Sequence, residues 1–107
     1  MIVDHRTYTL FPGTMGAYLT FYEEVGYAIQ SKYLGKPMAF FTSMDIGELN
    51  QVVHLWGYES LGDRSEKRTK LSADADWKSY LAQQMPRIMR MENKILTQVP
   101  FAPLALK

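Results

Sequence analysis

Residues 49–58 read LNQVVHLWGY, and the rest of the fold is worked out from this stretch. Its β-branched and aromatic residues predict a strand, in which successive side chains point to opposite faces. A strand buried on one face alternates apolar with polar residues, but here Val52 and Trp56 share one face while Val53 and Leu55 share the other. Both faces of the sheet therefore need a cover, and a second copy is the simplest cover for a one-domain chain. The pattern predicts a homodimer or a higher homo-oligomer.

The segments on either side of this strand complete a β-α-β-β-α-β order. Strands are predicted from β-branched and aromatic runs, and helices from capping residues followed by apolar residues at helical spacing. The predicted elements are a strand over 2–10, a helix that begins at Thr14 and ends at Gly35 and Pro37, strands over 38–44 and 49–58, a helical region that opens at Ser60 and restarts at Ser72 or Asp74, a break at Pro86, and a strand over 89–99 before irregular structure at Pro100 and Pro103. This order predicts a ferredoxin-like α+β fold with an antiparallel four-stranded sheet and helices on one face.

Length, charge and cysteine content limit the class of protein. A chain of 107 residues is long enough for one domain, 1–107. A net charge of +1 gives no electrostatic argument for nucleic acid. With no cysteine, the sequence excludes disulfides, thiolate metal sites and cysteine nucleophiles. Neither a signal-peptide pattern nor an apolar run long enough to span a bilayer is visible, so we expect a cytoplasmic protein without membrane insertion.

His54 and Trp56 are the most suggestive pair for chemistry, because residues two apart on a strand share a face. A neutral imidazole in an apolar strand is suited to act as a general base or a haem ligand, with Trp56 as an apolar wall. The alternative is a core histidine that is hydrogen-bonded across the dimer or to a helix. His5 is expected to be a lone surface histidine, and two histidines without nearby carboxylates at ligand spacing make a weak metal site. The sequence therefore predicts no metal and no cofactor.

Two arginines and two tyrosines extend this candidate site. Arg6 and Tyr8 share a face of the first strand, which neighbours the third strand in this topology, so they line a common cavity with His54 if the strand register agrees. A buried arginine needs either a protein carboxylate or an anionic ligand. The candidate ligand pocket comprises Arg6, Tyr8, His54, Trp56, Tyr58 and Arg64.

Arg64 and Arg68 lie one helical turn apart and so share a helix face. Such a pair can clamp a carboxylate or a phosphate. Alternatively, the two arginines lie on a solvent-exposed face of the helix, or they form ion pairs with Glu59 or Asp63.

Along nearly its whole length the sequence resembles the NIPSNAP family. The matching segments are, in chain order, 6–13, 49–61, positions between 63 and 77, 92–96 and 101–103. The block from Asn50 to Trp56, together with Arg64 and Arg68, is the most specific part. The chain departs from the family at 38–45, where a glycine-rich strand and an acidic turn are expected, and after Asp74, where a proline often follows.

The resemblance implies a dimeric α/β barrel, in which two ferredoxin-like domains pair their sheets. It implies no particular reaction, so whether the protein is an enzyme stays open. Three hypotheses follow: a small-molecule-binding homodimer of unassigned activity, a cofactor-free or haem-dependent monooxygenase by analogy with enzymes that share this barrel, and a non-catalytic protein-interaction module.

Overall fold

The computed structural model describes residues 1–102. The strands are β1 (Ile2–Leu10), β2 (Ala39–Ser43), β3 (Gln51–Tyr58) and β4 (Ile88–Thr97). The helices are α1 (Met15–Phe21), a π-helical turn (Tyr22–Gly26), α2 (Tyr27–Leu34), α3 (Leu61–Ala73), α4 (Ala75–Gln84) and a 3₁₀ turn (Met85–Arg87). The fold is α+β with the predicted β-α-β-β-α-β order, and Pro103 lies outside the described residues. No helix within residues 1–102 is long and apolar enough to cross a membrane.

The four strands form one antiparallel sheet in the order β2-β3-β1-β4. Arg6 of β1 and Phe40 of β2 both lie opposite His54 of β3. Opposite residues in an antiparallel pair share a face, so all three point toward the helical layer. The register that the sequence left open therefore places Arg6 and His54 on the same side of the sheet.

The helix after β1 is interrupted, where the sequence predicted a continuous one. Five residues form a π-helical turn that ends at Gly26, whose backbone contacts the ring of Tyr80 in α4. A side chain at position 26 would overlap that ring, so glycine allows the two helices to approach closely. Thr14 stands at the N-cap position, but its hydroxyl donates to the carbonyl of Phe11 rather than accepting a helix N–H.

The second helical region follows the capping signals. Ser60 accepts a hydrogen bond from the backbone N–H of Asp63 at 3.1 Å, and α3 starts there. Asp74 accepts from the N–H of Trp77 at 2.8 Å, so Asp74 rather than Ser72 caps α4. Pro86 occupies the 3₁₀ turn that ends the helical region and leads into β4.

Strand boundaries differ from the prediction by one or two residues. β3 begins at Gln51 rather than at Leu49, because Asn50 adopts the left-handed conformation (φ 61°) and belongs to the hairpin turn. β4 spans 88–97 rather than 89–99.

Burial along β3 alternates, and this defines two unequal faces of the sheet. Val52, His54, Trp56 and Tyr58 are buried beneath the helices, while Val53 and Leu55 on the other face are half-buried. Phe41 lies opposite Val53 on this outer face and is 59% exposed. The outer face thus carries apolar side chains that the monomer leaves uncovered.

Candidate functional site

A cavity of about 200 Å³ lies between the sheet and the helices. Its floor is formed by β1 and β3, which contribute Arg6, Tyr8 and His54. Its walls are aromatic side chains of the helices, namely Tyr18, Tyr22, Trp77 and Tyr80. Arg68 and Gln84 add polar groups from α3 and α4. The site therefore combines aromatic walls with a few polar groups, as small-molecule pockets generally do.

His54 is held in one tautomer by its neighbour on the strand. The indole N–H of Trp56 donates to Nδ1 of His54 at 2.7 Å, and both side chains are buried. Because Nδ1 accepts this bond, the single proton of the neutral ring resides on Nε2. Burial, together with the nearby charge of Arg6, lowers the pKa of His54 to about 3, so the ring is neutral at physiological pH.

The remaining nitrogen of His54 is an unsatisfied donor. Nε2 is buried and has no hydrogen-bond partner among residues 1–102. The ring stacks on Phe40 and meets Tyr8 edge-on, each at a centroid distance of 4.9 Å, so the imidazole is fixed in place. A general base or an iron ligand needs a lone pair on the nitrogen that it presents, and in this tautomer Nε2 carries a proton instead. The geometry thus disfavours both roles that the sequence suggested for His54.

Asp4 pairs with two of the candidate arginines. Its side chain is fully buried on β1, and its Oδ2 lies 2.9 Å from Nε of Arg64 and 3.1 Å from Nη1 of Arg6. Asn93 of β4 donates to the other carboxylate oxygen at 3.1 Å. Burial alone would raise the pKa of Asp4, but the hydrogen bonds from Arg64 and Asn93 and the charge of Arg6 outweigh it and hold the pKa below its usual value. Of the partners that the sequence left open for Arg6, a protein carboxylate is present.

Arg68 differs from Arg64 although they lie one turn apart on α3. Arg64 turns to Asp4, whereas Arg68 lines the cavity. Nη1 of Arg68 is buried and lacks a hydrogen-bond partner within the described chain. Tyr58 lies next to Arg68, and burial raises the pKa of its phenol although the hydrogen-bonding and the charge of the Arg68 guanidinium oppose the rise.

The helical side of the cavity is ordered by a network of amides and phenols. Gln84 donates to the Tyr80 hydroxyl at 2.8 Å and to the Tyr18 carbonyl at 3.0 Å, and accepts from Arg87 at 2.7 Å. The Tyr22 hydroxyl donates to Gln30 at 2.7 Å. Burial raises the pKa of Tyr18 and Tyr22, and it raises that of Tyr80 to about 12. These phenols are therefore neutral at physiological pH.

Three of the six residues proposed from the sequence line this cavity: Arg6, Tyr8 and His54. The other three do not. Trp56 has no exposed surface and is bonded to His54. Arg64 forms an ion pair with Asp4, and Tyr58 is buried in the hydrophobic core beneath the helices. Trp56, Tyr58 and Arg64 therefore lie outside the lining of this cavity in the monomer, and their part in a ligand site stays a prediction.

Sequence reasoning missed the helical wall and the role of Asp4. An aspartate inside an apolar strand, two residues before an arginine, is a signal that could have identified the Asp4–Arg6 pair. The aromatic residues of α1 and α4 were visible only as apolar stripes, since a stripe does not show which part of it borders a cavity.

His5 lies on the outer face of the sheet, away from the cavity. It shares a shallow depression with Thr7, Glu92 and Lys94. In the described part of the chain, no group of three or more His, Cys, Asp or Glu side chains is arranged to hold a metal ion.

Comparison with known proteins identifies the family. The sequence profile of the NIPSNAP family matches residues 3–103. The chain belongs to the NIPSNAP family. A crystal structure of a NIPSNAP family protein from Agrobacterium tumefaciens superposes with a TM-score of 0.92 at 42% sequence identity, covering 97% of this chain and 98% of that one. The resemblance seen in segments 49–61 and 63–77 is thus confirmed over the whole domain.

Curated NIPSNAP proteins are longer than this chain. Protein NipSnap of Drosophila melanogaster is 34% identical over 103 residues, which are 95% of this chain but 36% of the fly protein. The chain therefore spans about one third of that relative's length. A solved antibiotic biosynthesis monooxygenase superposes with a TM-score of 0.65 at 12% identity, covering 94% of this chain and 100% of that one. At that identity the likeness concerns the fold alone.

Proposed function

We propose that this NIPSNAP protein is a homodimer in which each subunit binds a small molecule in the cavity beside His54. One observation carries the proposal: His54 lines a cavity with aromatic walls, and its Nε2–H is a buried donor without a partner in the described chain. An unsatisfied buried donor costs about 1–3 kcal/mol. A ligand that accepts from Nε2 would remove this cost.

The arrangement supports binding more than acid–base chemistry at His54. Trp56 occupies Nδ1, so the other nitrogen of the imidazole, Nε2, offers a proton and no lone pair. A monooxygenase that needs His54 as its base or as an iron ligand would first have to break the bond to Trp56. A protein that uses His54 to orient a bound ligand requires no such rearrangement.

The outer face of the sheet supports the dimer. Phe41, Val53 and Leu55 form an apolar area on the side opposite the helices, and Phe41 is largely exposed there. A large aromatic side chain on a sheet face is usually covered in the functional assembly. A second sheet packed against this area would cover it, as the two-faced pattern of β3 predicts.

A fragment screen observed by NMR tests the binding proposal. The indole N–H signals of Trp56 and Trp77 are suitable reporters, because Trp56 is bonded to His54 and Trp77 lines the cavity. We expect compounds with a hydrogen-bond acceptor to shift both signals. If no compound at millimolar concentration shifts either signal, the cavity is not a binding site. The cytoplasmic location stays a prediction, which fractionation of cells that express the protein would test.

A further inference from the structure

The charges near His54 are unbalanced. Arg6, Arg64 and Arg68 lie on this side of the molecule, and only Arg6 and Arg64 reach the buried carboxylate of Asp4. Within residues 1–102 no carboxylate lies within 4.0 Å of Arg68. One carboxylate thus faces three guanidinium groups. Arg6 and Arg68 both line the cavity, and Arg68 has no carboxylate partner of its own within the described chain.

Two unpaired donors border the same cavity. His54 of β3 and Arg68 of α3 both line the cavity, and His54 Nε2 and Arg68 Nη1 are buried without hydrogen-bond partners in the described chain. A neutral donor and a cation from residues that line the same cavity suit an acceptor with negative charge.

The rest of the cavity suits a ring. Trp77 and Tyr80 stack with centroids 5.0 Å apart and present flat apolar surface, and Tyr18 and Tyr22 contribute further rings. A cavity of about 150 Å³ is known to hold benzene. The cavity of about 200 Å³ therefore has room for one ring with a small substituent.

We infer that the ligand is a small monocyclic organic acid, whose carboxylate accepts hydrogen bonds from His54 and Arg68 while its ring packs against Trp77 and Tyr80. This inference rests on the proposed function and adds the chemical class of the ligand. An inorganic anion would use the two donors but would leave the aromatic walls without a partner. A neutral aromatic compound would use the walls but would leave Arg68 without a counter-charge.

The test is an NMR titration of the full chain with a matched set of probes: benzoate, benzamide, toluene and inorganic phosphate. Benzamide has nearly the shape of benzoate without its charge, so the pair isolates the electrostatic contribution. Hydrogen bonds to a charged group are strong enough that we expect benzoate to bind roughly tenfold or more tightly than benzamide. Toluene lacks the negative charge and phosphate lacks the ring, and we expect both to bind more weakly than benzoate.

Three variants assign the charge to Arg68. Arg68→Met keeps the apolar stem of the side chain, and we expect it to abolish the preference for benzoate over benzamide. Arg68→Lys restores the positive charge and is expected to recover part of the preference. The control is Lys70→Met, which removes one charge from the same helix at an exposed position outside the cavity lining and is expected to change nothing. Thermal unfolding of each variant verifies that it is folded.

Each other result overturns a defined part of the inference. If benzamide or toluene binds as tightly as benzoate and shifts the same signals, the ligand class is wrong but the cavity remains a binding site. Equal binding of phosphate and benzoate would eliminate the ring. Unchanged selectivity in Arg68→Met would remove Arg68 from the site. If none of the probes shifts the Trp56 or Trp77 signal at millimolar concentration, both the inference and the proposed function fail.

Discussion

The indole N–H of Trp56 donates to Nδ1 of His54 across 2.7 Å in the buried centre of the sheet. This one hydrogen bond fixes the tautomer of the imidazole. Trp56 is the donor to Nδ1, and the proton of the neutral ring stays on Nε2, which has no partner in the described chain.

Trp56→Phe should release this tautomer. Without the indole N–H, Nδ1 of His54 is buried and unpaired, so we expect a loss of about 2 kcal/mol in the free energy of unfolding. Histidine ¹⁵N chemical shifts should report one tautomer protonated at Nε2 in the unmodified protein and a mixture in the variant. Trp77→Phe is the matched control, because Trp77 makes no bond to His54, and its spectrum should keep the single tautomer. An identical tautomer in Trp56→Phe would show that this bond does not set the protonation of the ring.

His54 should make stability depend on pH. The folded protein keeps the ring neutral down to pH of about 3, since its pKa is lowered to about 3, whereas the unfolded chain binds a proton near the ordinary pKa of about 6.5. Between about pH 3 and pH 6.5 the unfolded state therefore carries more protons than the folded state. The free energy of unfolding rises with pH in this range and decreases as the pH falls. We expect the His54 contribution to decrease by about 2 kcal/mol between pH 7 and pH 5.

Urea unfolding at several pH values measures this contribution. His54→Gln supplies the control, because its amide accepts from Trp56 but does not titrate. The difference in pH dependence between the two proteins belongs to His54, and parallel curves would mean that the folded-state pKa of His54 is not depressed.

Asp4→Asn should destabilise the fold more than any exposed charge change. An asparagine cannot neutralise Arg6 and Arg64, whose side chains are only 12% and 23% exposed. Removal of one partner from a buried ion pair costs about 3 kcal/mol at the lower end of the usual range. Since the pKa of Asp4 is depressed, its stabilisation is present above the ordinary aspartate pKa and is lost as the pH falls through the folded-state pKa. Chemical denaturation at pH 7 gives the size of the loss. The control is Glu66→Gln, which breaks the exposed pair between Glu66 and Lys70 and should change stability very little. A similar loss of stability in Asp4→Asn and Glu66→Gln would contradict the assigned role of Asp4.

Gly26→Ala should destabilise, although alanine is the better helix former. A Cβ at position 26 would lie 2.7 Å from Cε1 and from the hydroxyl oxygen of Tyr80, and that ring is held by Gln84. We expect a cost of about 1–3 kcal/mol and a displaced cavity wall, visible as a shift of the Trp77 indole signal. Gly16→Ala in α1 meets no atom within 4 Å and should instead stabilise by about 0.5–1 kcal/mol. Thermal unfolding of both variants compares the two effects, and stabilisation by Gly26→Ala would refute the close packing of the two helices.

Phe41→Glu should separate the proposed dimer. The side chain is 59% exposed in the monomer, so the substitution leaves the core intact while it places a charge in the apolar area of the outer face. Light scattering should give twice the chain mass of 12.3 kDa for the unmodified protein and the monomer mass for the variant. Phe11→Glu changes an exposed phenylalanine in the turn after β1 and should leave the mass unchanged. A monomer mass for the unmodified protein at micromolar concentration would exclude the dimer.

The fold was largely predictable because its signals are local. The capping residue Ser60 and the β-branched run of β3 depend on neighbours in the chain, and the predicted element order holds. The close approach of Gly26 to Tyr80 was not predictable, since the two residues lie more than fifty positions apart in the chain. Strand ends shifted where a turn residue, Asn50, adopts a left-handed conformation.

By itself the sequence determined the family, the strand order along the chain, and the shared face of His54 and Trp56, because a strand repeats every two residues. The different contacts of Arg64 and Arg68 depend on the tertiary structure. Arg64 and Arg68 share a helix face, yet one meets Asp4 and the other meets the cavity. The tertiary structure likewise decided that His54 presents a proton rather than a lone pair, because the tautomer depends on a hydrogen bond whose geometry no sequence pattern records.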